Sequence, residues 1–415
     1  MFIAGEPSGD LLAAELIQAL GATLLQRDAS PSSDLLPLRT SLGPRFFGAG
    51  GPRMAEAGME LAVDLTQHAV VGVVEVLKNY RKFRRLFHQL LELACTRQPD
   101  AIIFVDFSGF NRRFAHAVRA RLRRERGRFN NWTPKLVQYV SPQVWASRES
   151  RVHSMERDLD LLLSIFPFEK DWYALRAPDL HVEFVGHPIL DRYGNAERGM
   201  WSAEPSDPSP SAIRHPPAST PLVLLLPGSR PAELSRHLPV MIGAACRMQT
   251  HRPLEFRVVV PSETLARHAR DVVAAQPSIS VEVGGLDGCL RHAQLAVAST
   301  GTVTLECAYF GVPTVALYMT SWGNYQIAKR LVRVGFIAMP NLLAGEAVFP
   351  EFIQHAATAE NLAREALDLL DNADRRAEIQ RKLARIITSL GGPGASQRAA
   401  RFIADLLDDR VVLWR

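Results

Sequence analysis

Leu295-Ala296-Val297-Ala298-Ser299-Thr300-Gly301-Thr302-Val303-Thr304-Leu305-Glu306 reads as an apolar strand that ends in a hydroxyl-rich turn and opens a helix. A helix start presents free backbone N–H groups and the positive end of the helix dipole, which together suit phosphate oxygens. Gly301 permits close approach, the hydroxyls of Thr302 and Thr304 supply further donors, and Glu306 lies one turn further in, where a carboxylate accepts from ribose hydroxyls. The same Ser/Thr run also reads as simple N-capping, and residue types alone leave both open.

Outward from this stretch, Leu222–Leu226, Arg257–Val260 and Thr314–Leu317 are further short β-type runs separated by helical ones, the pattern of a parallel sheet covered by helices. Pro227-Gly228-Ser229-Arg230 is a second strand-to-helix turn, either a surface turn or an anion site whose Arg neutralises a diphosphate. The first half repeats the arrangement. Ile102–Val105 ends at Asp106 and Leu136–Val140 ends at Ser141, so polar residues follow the C-terminal strand ends, where open α/β sheets bind ligands. Asp106 and Asn111, in Asp-Phe-Ser-Gly-Phe-Asn, place a carboxylate and an amide there, suited to a general base or to an ordinary turn. Gly5-Glu6-Pro7-Ser8-Gly9-Asp10 also follows a strand but lacks the glycine spacing of a dinucleotide fingerprint. His187 and the segment around Trp145 are ambiguous on their own.

The halves are divided by a Pro/Ser-rich stretch from Trp201 to Pro221 that cannot build a core. The expected organisation is an α/β domain over 1–195, a linker over 196–219 and a second α/β domain over 220–394, with a terminal helix over 395–415 packing back on the first. A chain of 415 residues, 47% hydrophobic and 22% charged, is too long for one core and ordinary for a globular protein. Its longest wholly apolar stretches fall short of a membrane span and no secretory signal is visible, so the cytoplasm is the expected compartment. Cys95, Cys246, Cys289 and Cys307 are scattered and read as buried core cysteines. The net charge of +5 is concentrated in two clusters. One, Lys78 to Arg85, follows the valine-rich Val70–Leu77; the other runs from Arg119 to Arg128. Each is either a solvated helix face or a surface for anionic lipid or nucleic acid.

Read together, nine segments resemble the lipid-A-disaccharide synthase family of glycosyltransferases. They are Ala4–Asp10, Gly50–Met54, Val71–Leu77, Tyr139–Ala146, Phe166–Lys170, Phe184–Pro188, Leu226–Arg230, Ala328–Val332 and Pro340–Gly345, in order along the chain. The resemblance implies a GT-B fold, two Rossmann-like domains with parallel sheets facing across a cleft, and a donor nucleotide held by the second. It implies transfer from UDP-2,3-diacylglucosamine to 2,3-diacylglucosamine 1-phosphate (lipid X), giving the β-1,6-linked disaccharide and UDP by inversion, without metal or cofactor. It places the family's catalytic carboxylate at Asp106, acceptor contacts at Glu6, Ser8 and Asn111, and UDP contacts at Arg230, Ser299, Gly301, Thr302, Glu306 and Asn341. The implied setting is peripheral, on the inner face of the inner membrane, without nucleic acid and with a homodimer left open. An epimerase of similar fold, or a non-catalytic UDP-sugar-binding protein, is the alternative; the Val-Ser-Pro-Gln-Val-Trp segment argues against the first and Asp106 against the second. The chain departs from the family pattern at Pro7 and Ser147, in the longer 22–45 and 196–219 connections, and in starting inside the first strand.

Overall fold

The structure is a computed structural model and describes residues 1–28, 43–66, 80–127, 130–194, 220–276, 278–332 and 334–412. The valine-rich run with Lys78, most of the 22–45 connection, Arg128 and the 196–219 linker lie outside the described residues. Contacts divide the chain into two units, one holding the residues up to Gly194 and those from Leu390 onward, the other the described residues from Thr220 to Ser389.

The first unit is built on seven strands: β1 (Phe2–Ala4), β2 (Phe47–Gly50), β3 (Glu60–Asp64), β4 (Ala101–Val105), β5 (Lys135–Tyr139), β6 (Leu161–Ser164) and β7 (Val182–Phe184). They pair in the order β3-β2-β1-β4-β5-β6-β7, every neighbour parallel. Ala-Ile-Ile-Phe-Val in β4 is buried at all five positions. An unbroken apolar run of this kind suits a strand covered by helices on both faces. The helix Ser108–Glu125 supplies one cover, its Phe114 ring lying 6.1 Å from Phe104 and 5.3 Å from Phe87 of the helix Tyr80–Arg97. From β1 the chain winds outward to β2 and β3, then returns to place β4 on the other side of β1. The turns after β1 and β4 therefore flank the switch point, the crevice where such sheets take ligands.

The second unit repeats the plan with β8 (Leu222–Leu226), β9 (Glu255–Val260), β10 (Ile279–Val283), β11 (Leu295–Ser299), β12 (Thr314–Tyr318) and β13 (Glu351–Ile353), ordered β10-β9-β8-β11-β12-β13 and again parallel. Its switch point lies between β8 and β11, the strands that precede Pro227–Arg230 and Thr300–Gly301.

The helix Ala395–Val412 belongs to the first unit and packs on the helix Pro7–Asp28. Arg398 fastens it: Nε donates to the Val185 carbonyl at 2.7 Å, and the other guanidinium nitrogens donate to Pro393 and Gly392. Gly186, at φ 85°, leaves room for that side chain, because a Cβ there would lie 2.4 Å from Arg398 Nη2.

One helix resembles a membrane span by length and composition alone, and one expectation, that of the cysteines, needs correction. Among the described residues one helical stretch, Pro7–Arg27, is long and apolar enough to cross a membrane. Its Leu16, Ile17 and Leu20 are buried in the first unit, and Arg27 at its end pairs with Asp405 and Asp408, the setting of a core helix. Of the cysteines only Cys289 and Cys307 are buried, while Cys95 and Cys246 are half-buried on helices.

Candidate functional site

At the first switch point β4 runs into two consecutive residues in the left-handed region, Asp106 at φ 50° and Phe107 at φ 43°. Neither is glycine, so the turn is strained and persists only because its surroundings hold it. The Asn111 amide donates to the Asp106 carbonyl at 2.8 Å, Gln138 Nε2 donates to the same carbonyl at 3.2 Å, and the Asp106 N–H donates to Tyr139 at 3.1 Å. The Asp106 carboxylate is left half-buried at the sheet edge. Gly5, after β1, packs so closely on this turn that a Cβ would lie 2.3 Å from the Phe107 ring, and an added Gly9 Cβ would sit 3.5 Å from that of Asp106.

Glu6 is half-buried and Ser8 exposed in the opening of the helix Pro7–Asp28. Pro7 takes the first helical position, where proline loses no hydrogen bond. Asp10 turns away to cap the helix Pro52–Glu56, accepting from the N–H groups of Gly51, Arg53 and Met54 at 2.8, 3.1 and 3.2 Å. That single carboxylate accounts for both the Gly-Glu-Pro-Ser-Gly-Asp and the Gly-Gly-Pro-Arg-Met segments. Asn111 is fully buried; its amide nitrogen is committed to the main-chain carbonyls of Val105 and Asp106, which clamps Asp106, while its amide oxygen is without a hydrogen-bond partner.

Beyond β5, Val140 is also left-handed at φ 65°, uncommon for a β-branched residue. Here Ser141 Oγ meets the Tyr173 hydroxyl at 3.0 Å, and Trp145 Nε1 donates to the buried Glu169 at 3.0 Å. The other Glu169 oxygen accepts the Phe166 N–H at 3.3 Å. Burial outweighs these donors and pushes the Glu169 carboxyl up to about 7. His187 Nδ1 accepts the Ile189 N–H at 3.1 Å, and burial drives its pKa down to about 3. The Trp145, Phe166–Lys170 and Gly186–Pro188 segments are thus one packed aromatic cluster around a carboxyl, and His187 is a neutral support within it.

At the second switch point the helix Thr302–Tyr309 is capped only by Gly301, at φ 145° and without a side-chain cap. A Cβ on Gly301 would meet nothing within 4 Å, so space lies open over that helix start. Thr302 is exposed beside it and Glu306 half-buried one turn on. Thr304 is not available as the expected donor: its buried hydroxyl donates to the Gly301 carbonyl at 2.7 Å and accepts the Met339 N–H at 3.3 Å. Gly228, at φ 116°, brings the neighbouring turn close, since a Cβ there would lie 3.2 Å from Ser299 Oγ. Arg230, partly exposed, caps the helix Pro231–Gln249 and reaches Glu233 at 3.2 Å. His237 ties this turn down, with Nδ1 donating to the Pro227 carbonyl at 2.8 Å and Nε2 accepting the Met319 N–H at 3.0 Å.

Asn341 is fully buried and uses its whole hydrogen-bonding capacity internally. Its amide nitrogen donates to Phe349 and Glu351, and its oxygen accepts from Val348 and Phe349, all within 3.0 Å. Glu351 in turn accepts from the N–H groups of Ile337 and Ala338. A contact from Asn341 to a ligand would break one of these bonds, so it supports the site from behind. Gln138, Glu169, His237 and Glu351 escaped the sequence reading. Glu169 fell within the Phe166–Lys170 segment without a role of its own, and what the four side chains do depends on tertiary packing.

Two parallel-sheet domains, each with polar turns at its switch point, define a GT-B type protein. The glycosyltransferase of kitacinnamycin shares the fold at a TM-score of 0.59, with 17% identity and 98% of each chain covered. A UDP-GlcNAc 2-epimerase from Neisseria meningitidis, solved with UDP-GlcNAc bound, does so at 0.55, with 10% identity and 94% and 96% of the two chains covered. The family model for lipid-A-disaccharide synthetase matches residues 1–405. The lipid-A-disaccharide synthase of Geobacter sulfurreducens is 34% identical over 99% of this chain and 98% of its own. That of Coxiella burnetii is 32% identical over 98% of both. The chain belongs to the lipid-A-disaccharide synthase family and is a glycosyltransferase of lipid A biosynthesis.

Proposed function

We propose that the enzyme transfers 2,3-diacylglucosamine from UDP to the 6-hydroxyl of 2,3-diacylglucosamine 1-phosphate, forming the β-1,6-linked disaccharide 1-phosphate and UDP in one inverting, metal-independent step. The observation that carries this reading is the strained Asp106–Phe107 turn at the first switch point. Strain of order 1 kcal/mol or more per residue is retained where it fixes a reacting group. Asp106 takes the proton of the 6-hydroxyl as that oxygen attacks the anomeric carbon from the face opposite UDP. Glu6 and Ser8, on the adjoining turn, contact the acceptor, and Asn111 with Gln138 keeps Asp106 in place.

Charge then grows on the departing diphosphate. The open helix start at Gly301–Thr302, with Ser299 and the guanidinium of Arg230, supports binding and stabilisation of that charge, and Glu306 accepts from the ribose hydroxyls. Asn341 and Glu351 hold the segment that backs this site. Both substrates carry acyl chains, which favours a protein working peripherally at the inner face of the inner membrane. The test is incubation of UDP-2,3-diacylglucosamine with 2,3-diacylglucosamine 1-phosphate and mass spectrometry of the products. Disaccharide 1-phosphate and UDP are expected in equal amounts; folded enzyme that releases neither would reject the reading.

A further inference from the structure

Near the Asp106 turn, the first unit carries positive charge that no described carboxylate neutralises. Arg112 and Arg113 lie in the helix that follows Asp106, and Arg148 and Arg151 in the segment that follows β5. Arg112 and Arg151 both line a small, partly open pocket with room of about 20 Å³ for solvent. Its wall begins at Ser108 and Asn111 on the Asp106 turn and continues over Pro142, Val144 and Met155.

The carboxylates near this pocket are already engaged. Asp158 binds Arg157 at 2.8 Å and faces His116 at 3.2 Å, while Glu149 pairs with Arg176. Among the described residues, none of the four arginines forms an ion pair. Arg112 Nε is buried without a hydrogen-bond partner. Burial, followed by the positive fields of Arg148, Arg112 and Arg113, lowers the Arg151 guanidinium below its ordinary value. Like charges gathered without counter-ions are unfavourable in the empty protein and favourable once a polyanion arrives.

We propose that Arg112, Arg113, Arg148 and Arg151 form the receiving site for the phosphate monoester of the lipid acceptor. The proposal rests on the reaction assigned above and names the subsite that selects its acceptor. A phosphate monoester carries nearly two negative charges at neutral pH, and arginine forks match its oxygens in bidentate geometry. Asp106 and the arginines then address two ends of one sugar, the nucleophilic 6-hydroxyl and the 1-phosphate. The arginines thereby exclude the neutral aminosugar.

The test compares acceptors with and without the 1-phosphate, using wild type and the Arg148→Gln/Arg151→Gln double variant. Wild type should prefer the phosphorylated acceptor. The double variant should raise acceptor KM tenfold or more, leave donor KM in place and lose most of that preference, and Arg151→Lys should recover part of it. If the double variant fails to fold, Arg113→Gln/Arg148→Gln, at two exposed positions, replaces it with the same expectation. A variant that keeps the preference overturns the proposal. So does one that keeps it while losing affinity for phosphatidylglycerol vesicles, which would make the cluster a contact for lipid headgroups. If wild type turns over neither acceptor, the reaction is wrong and the site is judged by calorimetric titration with glucosamine 1-phosphate. Binding by wild type that the double variant lacks upholds it, and no binding by wild type overturns it.

Discussion

The Asn111 side chain donates its amide to the main-chain carbonyl of Asp106 across 2.8 Å, so a fully buried residue governs the backbone of a half-buried carboxylate. Replacing Asn111 with Ala removes that donor and leaves the carbonyl to Gln138 alone. Turnover should fall by roughly one to two orders of magnitude with donor KM unchanged, and stability should fall by about 1–3 kcal/mol. Kinetics paired with urea denaturation separates the two effects; normal turnover would remove the clamp from the mechanism.

Asp106→Ala tests the base itself. A positioned general base contributes about 10²–10⁴ in rate, so turnover should drop by that much while UDP affinity, measured by calorimetry, stays at the wild-type value. Near-normal turnover would take Asp106 out of the chemistry.

The two carboxamide and carboxylate positions of the second unit should behave oppositely. Glu306→Ala is expected to weaken UDP about tenfold, the loss of roughly 1.4 kcal/mol, with little change in melting temperature. Asn341→Ala is expected chiefly to destabilise, because it strands the N–H groups of Val348 and Phe349. Unchanged UDP affinity in the Glu306 variant would refute the ribose contact.

Glu169 predicts a pH dependence of stability. Burial raises its pKa from 4.5 to about 7 in the folded protein. Between those values the folded state keeps a proton that the unfolded chain has released, so the Glu169 contribution falls as pH rises, while His187, held down at about 3, contributes an opposing rise up to its ordinary 6.5. Below it neither state is charged, and above it the cost is constant at about 3 kcal/mol. Glu169→Gln should therefore uncover a rise in stability between about pH 4.5 and 6.5 that the two groups cancel in the wild type, measured as denaturation midpoints from pH 4 to 8; a curve unchanged by the substitution would take Glu169 out of the pH dependence.

Strands whose interiors are wholly apolar were legible from the sequence. Leu222–Leu226 was read to the residue, and β4, β9, β11 and β12 to within one or two residues at an end. Their partners β2, with Phe-Gly-Ala-Gly, and β7, with Val-Glu-Phe, are too short and too mixed to stand out, because their burial comes from neighbours distant in sequence. The same limit applies to the sites. Asp106 and Gly301 announce themselves by following strands, whereas the roles of Asn111, Asn341 and Thr304 depend on which way a side chain turns. Type and spacing suggest a ligand for all three, but tertiary packing turns them to the backbone.

The helix held by Arg398 gives the first domain an unusual schedule. Its sheet is complete by Phe184, yet the helix Pro7–Asp28 waits for a partner encoded after the whole second domain. During synthesis the second domain has its full sequence first, and the first domain closes only when the ribosome has released the final stretch. A nonsense change that removes the helix Ala395–Val412 therefore strikes the domain encoded at the opposite end of the gene.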